Sequence, residues 1–289
     1  MPESVNCNLC GTNEVQSLYC KRGLRIVRCE VCGLVYVSPR ALDHEHDQLY
    51  AGDYFFSQVT LEKGYTDYMA SRPLKIATFE KRLSMIGNYQ KAGRILDVGC
   101  ATGFFLQVAK DRGWEPYGVD VSIEALVEAQ RGPNIPVVQG TLERASFRDD
   151  CFDAITMFDV IEHLPDPIQV LREAHRILKE NGILVICTPD VESFSARLMG
   201  RNWPHLKPSE HLYYFSKNTL PRMLDRAGFH VLEATGIAKT LTPRYLYTEL
   251  ARTNPILSRL LRAFSSLLLI TERAVHIRVG EMMAIASKS

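Results

Sequence analysis

The stretch Arg94-Ile-Leu-Asp-Val-Gly-Cys-Ala-Thr-Gly-Phe-Phe-Leu-Gln-Val-Ala-Lys110 leaves this chain few folds to choose from. Ile95 to Val98 suit a buried strand, Gly99 to Gly103 form a turn of small residues, and the run after them has the spacing of an amphipathic helix. Asp97 sits at the strand's end, and Asp120 closes the next apolar run, Tyr117-Gly-Val-Asp120. Strand, glycine turn, helix, strand and carboxylate make up the nucleotide-binding half of a doubly wound α/β sheet. Glycines let the backbone come close to a ligand, and the second carboxylate can accept hydrogen bonds from both ribose hydroxyls.

A dinucleotide site would want glycines at the positions held by Gly99, Ala101 and Phe104, and two of the three are missing. The pattern Asp-x-Gly-x-Gly-x-Gly fits better, as Asp97, Gly99, Ala101 and Gly103, with one glycine changed to alanine. On these residues the chain resembles the class I S-adenosylmethionine (SAM)-dependent methyltransferases. The resemblance implies a Rossmann-like α/β fold, a seven-stranded doubly wound sheet whose last strand is antiparallel. It also implies a loop at Asp97, Gly99, Ala101 and Gly103 that cradles the methionine part of SAM, and Asp120 holding the ribose. Val121, Leu142, Phe158 and Asp159 are the further cofactor candidates. Thr141 stands where many relatives carry an acid that touches the adenine.

The 289 residues can bury one full core plus a small appendage. The appendage is expected at residues 1–40, where Cys7-Asn-Leu-Cys10 and Cys29-Glu-Val-Cys32 are each followed by a glycine. Two residues between cysteines let both thiolates of one turn reach the same ion, and two such turns complete a tetrahedral site. Cys7, Cys10, Cys29 and Cys32 therefore read as a structural zinc ribbon, with Ser17 to Cys20 and Leu24 to Cys29 as its strands and Cys20 as a spare. No secretory signal opens the chain and no run of about 18 apolar residues occurs, so thiols stay reduced and the cytoplasm is the expected compartment. A net charge of +1 does not suggest a nucleic-acid partner.

Residues 41–90 read as a helical and aromatic linker, with Tyr65 and Tyr68 as a candidate lid and Pro73 interrupting the helical pattern. Tyr54-Phe55 followed by Gly64-Tyr65-x-Asp67-Tyr68 also resembles bacterial methyltransferases of glycan and lipid pathways. Residues 91–289 are the expected catalytic domain. Ser122 can cap a helix running to Gln130, and Phe152 to Phe158, Ile183 to Thr188, Phe229 to Thr235 and Met282 to Ala286 read as strands. A helical insertion at 240–279 carries Ile256, Leu257, Leu260, Leu261, Phe264, Leu267 and Leu268 on one face, among arginines. Such a stripe over 254–275 packs on its own domain, across a dimer, or in a peripheral membrane surface, and the first two are expected. The oligomeric state is left open.

The loop Asp159-Val-Ile-Glu162-His163 follows a strand whose carboxyl end faces the first glycine turn. Methyl transfer to oxygen needs an aligned nucleophile and a proton acceptor. His163 and His211 are the candidate bases, with Glu162 beside the first. Asp159, Glu162 and His163 also approximate the Glu-x-x-Glu-His spacing of ubiquinone-pathway O-methyltransferases, and that resemblance implies a divalent metal. The expected function is SAM-dependent methyl transfer, most simply to oxygen, on a small-molecule, glycan or lipid-linked acceptor. The rival readings are an RNA methyltransferase that uses its ribbon for binding, which the acidic loop argues against, and a binding module that kept the fold without the chemistry.

Overall fold

The computed structural model describes residues 3–40, 69, 71–131, 135–251, 255–268, 271 and 273–288. The candidate lid, with Tyr65 and Tyr68, lies outside them.

The N-terminal segment folds as strands β1 (Val15–Lys21), β2 (Leu24–Cys29) and β3 (Val35–Val37). Lys21 pairs with Leu24 across the two-residue turn Arg22-Gly23, and both turn residues have positive φ, the geometry that matches the twist of a tight hairpin. Helix α1 (Arg72–Ile86) follows, and Pro73 opens it rather than interrupting it, because a first-turn N–H has no helical acceptor to lose.

The central part alternates as expected: β4 (Arg94–Val98), α2 (Phe104–Asp111), β5 (Glu115–Asp120), α3 (Ile123–Gln130), β6 (Val137–Gln139) and β7 (Phe152–Phe158). Ser122 caps α3 by accepting from the Ala125 amide at 3.2 Å. Next come α4 (Pro167–Ile177), β8 (Leu178–Pro189), α5 (Phe194–Met199), β9 (Tyr213–Tyr214), α6 (Thr219–Arg226), β10 (Phe229–Leu241), α7 (Pro243–Ala251), α8 (Pro255–Leu267) and β11 (Val275–Lys288).

Seven strands form one sheet in the order β10-β11-β8-β7-β4-β5-β6. Pairings among β4 to β8 are parallel, and β11 joins β8 and β10 antiparallel. Strand order reverses at β4, since β5 and β6 lie to one side and β7 and β8 to the other. That reversal opens a crevice at the carboxyl end of β4. Ile95, Leu96, Val98, Ile155 and Met157 are buried because helices cover both faces, which is why these strands read as continuous apolar runs.

The ribbon is part of this core rather than an appended bead. Its β3 pairs with β9, a strand from far along the chain, so a four-stranded sheet β1-β2-β3-β9 spans both parts. Leu9, Val27, Leu34 and Tyr36 belong to the same buried cluster as Leu171, Leu212 and Phe215.

The last strands extend beyond the expected bounds, to Leu241 and from Val275, so the helical part of the insertion is α7 and α8. Of the two packings expected for the apolar stripe of α8, the one on its own domain is not seen among the described residues. Ile256 is 71% and Leu267 79% exposed, whereas Ser258 and Ser265 are buried. No helix among the described residues is long and apolar enough to cross a membrane.

Candidate active site

The turn after β4 is built from left-handed backbone: φ is +72° at Gly99, +45° at Ala101 and +76° at Gly103. A Cβ on Gly99 would lie 2.5 Å from Val160 Cγ2, so only glycine brings the turn this close to the loop after β7. Gly103 ends the turn at the start of α2, where a Cβ would meet that of Ala129 at 3.0 Å. Its role is packing of α2 on α3, and it does not line the crevice.

The Ala101 and Ser122 amides donate to the two carboxylate oxygens of Asp120, at 2.8 and 2.9 Å. Each oxygen keeps a second acceptor position, which is what two vicinal hydroxyls need. Asp97 accepts from Thr156 Oγ1 at 2.6 Å. Burial pushes the Asp97 carboxyl up to about 7, aided by the charge of Asp120 and opposed by the Thr156 bond and Arg82.

These groups line a cavity of about 570 Å³, a size that takes a nucleoside-bearing cofactor. Asp97, Gly99, Ala101, Asp120, Val121, Leu142, Phe158 and Asp159 all lie on its wall, as does His163. Glu162 and His211 do not. They stand behind His163: the His211 ring meets that of His163 edge-on, with centroids 4.7 Å apart, and Glu162 is buried and accepts from Thr188 Oγ1 at 2.8 Å. Burial, then the charge of Asp159, raises the Glu162 carboxyl to about 8. Burial, with His163 and His205 nearby, holds the His211 imidazole well below its ordinary range, so it stays neutral.

The trio Asp159, Glu162 and His163 is not assembled. The ligating atoms that come together are those of Glu162, His163 and His211, all within 4.8 Å of one another, with Glu162 Oε1 and His211 Nδ1 buried and unpartnered. Asp159 is turned instead toward Lys239, whose Nζ is 3.4 Å from its Oδ2. Burial alone would raise the Asp159 carboxyl, but Lys239, Arg82 and Lys75 outweigh it and hold the group well below the usual carboxylate range. Glu281 binds Arg82 at 3.0 Å and also Lys239, so the wall near Asp159 is a buried network of alternating charge.

Lys75, Arg82, Lys239 and Glu281 escaped the reading of the sequence. A lone charge in a helix or strand pattern normally marks a solvated position, and nothing local distinguishes these four. A cation and an acid at matching depth become visible only once α1, β10 and β11 are packed together.

The profile described as a Methyltransferase domain matches residues 68–234, more than half of the chain and every element around the cavity. The chain belongs to this methyltransferase family. A Mycolicibacterium smegmatis protein named "Probable S-adenosylmethionine-dependent methyltransferase" is 30% identical over 148 residues, covering 50% of this chain and 56% of its own length. An Aliivibrio fischeri ubiquinone biosynthesis O-methyltransferase is 26% identical over 156 residues, 50% of this chain and 67% of its own length. The chain thus spans between about half and two thirds of these curated relatives. A crystal structure of a SAM-dependent methyltransferase from Thermotoga maritima superposes with a TM-score of 0.53 at 23% identity, over 78% of this chain and 95% of that one. At that identity it shows the fold of the methyltransferase domain and nothing finer.

Outside this domain match lies the cysteine cluster. Cys7 and Cys32 sulfurs are 3.3 Å apart, Cys10 and Cys29 sulfurs 3.4 Å, and all four lie within 4.8 Å of one another. Four thiolates around zinc at about 2.3 Å stand about 3.8 Å apart, so the donor set fits a closed tetrahedral ion.

Proposed function

We propose that this chain transfers a methyl group from SAM to an oxygen of a small-molecule, glycan or lipid-linked acceptor, with His163 taking the acceptor's proton. One observation carries the assignment of His163. Its Nδ1 lies 2.9 Å from the Glu210 carbonyl oxygen, and a carbonyl only accepts, so Nδ1 holds the proton and the neutral ring's lone pair is on Nε2. The ring is on the cavity wall, on the loop facing the glycine turn.

SAM supplies an electrophilic methyl on a sulfonium that leaves as a neutral thioether. The chain's share is to hold and align. Asp120 grips the ribose, Gly99 and Ala101 seat the methionine part, Val121 and Leu142 flank the adenine, and Phe158 closes the floor. Glu162 and His211 act through His163 by fixing its ring. Alignment of this kind contributes up to about 7–11 kcal/mol to lowering a barrier, and a positioned base about 10²- to 10⁴-fold in rate. The ubiquinone-pathway relatives, named as O-methyltransferases, support oxygen as the acceptor atom. The ribbon's zinc is structural.

The test is transfer of a labelled methyl from SAM into an extract fractionated into RNA, glycans and lipids, repeated with His163→Gln. The label is expected in the glycan, lipid or residual small-molecule fraction and not in RNA. The variant should lose about 10²- to 10⁴-fold in kcat/KM while binding S-adenosylhomocysteine as tightly as the parent. An unchanged rate removes His163 from the chemistry. Failure of the parent to bind either SAM or its demethylated product removes methyl transfer itself.

A further inference from the structure

The free amides in the first turn of α4 need acceptors. Pro167 has none to satisfy, the Gln169 amide donates to Asp166 Oδ1 at 3.2 Å, and the Val170 amide to the Asp166 carbonyl at 3.3 Å. That leaves the Ile168 amide. Its acceptor is Asn8 Oδ1, at 3.2 Å and 160 positions away in the sequence. The same side chain donates from Nδ2 to Asp166 Oδ1 at 2.9 Å. One ribbon amide therefore closes the first turn of α4 and also holds its capping acid.

That turn is cavity wall: Leu164, Pro165, Asp166, Gln169 and Val170 all line it. Asn8 stands between Cys7 and Cys10, outside the matched residues 68–234. The Gly11 amide donates to the Cys7 carbonyl at 2.7 Å, the Cys7 amide to the Thr12 carbonyl at 2.9 Å, and Arg226 to the Leu9 carbonyl. An ion that draws the Cys7 and Cys10 sulfurs to one centre fixes this knuckle at both ends. Without the ion the knuckle keeps only these bonds, and Asn8 is held less closely against α4.

We infer that Asn8 is a positioning residue that links the two sites, so that zinc at the four cysteines and SAM in the cavity each strengthen the other's binding. The linkage is reciprocal. If the ion favours the wall that the cofactor needs, the cofactor favours the ion by the same factor. The inference rests on the SAM reading above, but its readout is binding rather than methyl transfer, so the two can fail separately.

The test is the zinc affinity of the full chain, read by competition with a chromogenic chelator, with and without saturating S-adenosylhomocysteine. In the parent, S-adenosylhomocysteine should raise zinc affinity about five-fold or more, the low end of ordinary coupling between sites. Asn8→Ala keeps all four cysteines, and its factor should fall to about one. Asn8→Asp keeps an acceptor for the Ile168 amide but sets an acid against Asp166, and should lose the factor too. Adding Asp166→Asn to it exchanges donor and acceptor, since the new amide can donate to the new carboxylate and still cap α4. That pair should bring the factor back. A loss caused by misfolding would not be reversed by a second substitution at the contact, so the pair separates positioning from stability. An unchanged factor in Asn8→Ala, or no factor in the parent, overturns the inference. A parent that binds no S-adenosylhomocysteine removes the SAM reading and this inference with it, whereas binding without linkage removes this inference alone.

Discussion

Asp120 accepts a backbone amide on each oxygen, from Ala101 and from Ser122, so the turn after β4 and the start of α3 are both tied to one side chain. In Asp120→Asn, whichever way the amide is turned, its NH₂ faces a backbone N–H. The variant should lose about 1–3 kcal/mol of stability in urea unfolding, and calorimetry should show S-adenosylhomocysteine binding weakened by about ten-fold or more. Glu162 poses the opposite case, a carboxyl that is buried and neutral. Its folded value near 8 lies above its ordinary 4.5, so the folded protein holds more protons than the unfolded chain between the two. The stability linked to the neutral form is complete below about pH 4.5 and is lost as pH rises toward about 8. Asp97, raised to about 7, adds a loss of the same sign over a lower window. Melting temperature should therefore fall between about pH 4.5 and about pH 8, and Glu162→Gln, which keeps an acceptor for Thr188, should fall less over that range. A variant as steep as the parent would place the titrating group elsewhere.

Among the elements, the joint between α1 and the β10–β11 ribbon depends on charge. Arg82 and Glu281 are 3.0 Å apart with side-chain exposures of 4% and 0%, Lys239 also binds Glu281, and the Arg82 guanidinium sits 4.9 Å from the Phe158 ring centroid. Taking the acid from such a cluster leaves buried cations uncompensated, at a cost of about 3–5 kcal/mol. Glu281→Gln should show that loss in urea unfolding, and since Lys239 also contacts Asp159, the cavity wall should loosen with it. The ribbon reaches the same wall from the other side. Asn8, between two ribbon cysteines, donates to Asp166 Oδ1 at 2.9 Å and accepts from the Ile168 amide at 3.2 Å. Arg40 donates to the Pro165 carbonyl at 3.0 Å. Asp166 and Pro165 line the cavity, so the cysteine knuckle braces the loop that carries His163.

At the scale of the whole molecule, that bracing predicts how loss of the proposed zinc should appear. The ribbon's buried residues are continuous with those under the main sheet, so one cooperative transition is expected rather than two. Stripping zinc with a chelator, or Cys10→Ser, should lower the midpoint of that single transition in calorimetry. A separate low-temperature transition with the main one unmoved would mean that the ribbon folds on its own. The strands and helices around β4, the positive-φ turn and the carboxylate at Asp120 were legible because each rests on local chemistry: apolar runs, residues that tolerate φ above zero, and an acid at a strand's end. The paired cysteines were legible for the same reason, since ligand spacing is a local constraint. What the linear pattern could not show is which charges would meet in the interior, that β3 would find β9, and that His211 would stand behind His163 rather than beside it. It also could not show which face of α8 would be covered, since two buried serines and six exposed apolar side chains run against the usual rule. The chain's own chemistry therefore determined the elements and the cofactor turn, whereas tertiary packing decided the partners of every buried charge, because such pairings join residues far apart in sequence and are selected by burial depth rather than by neighbours along the chain.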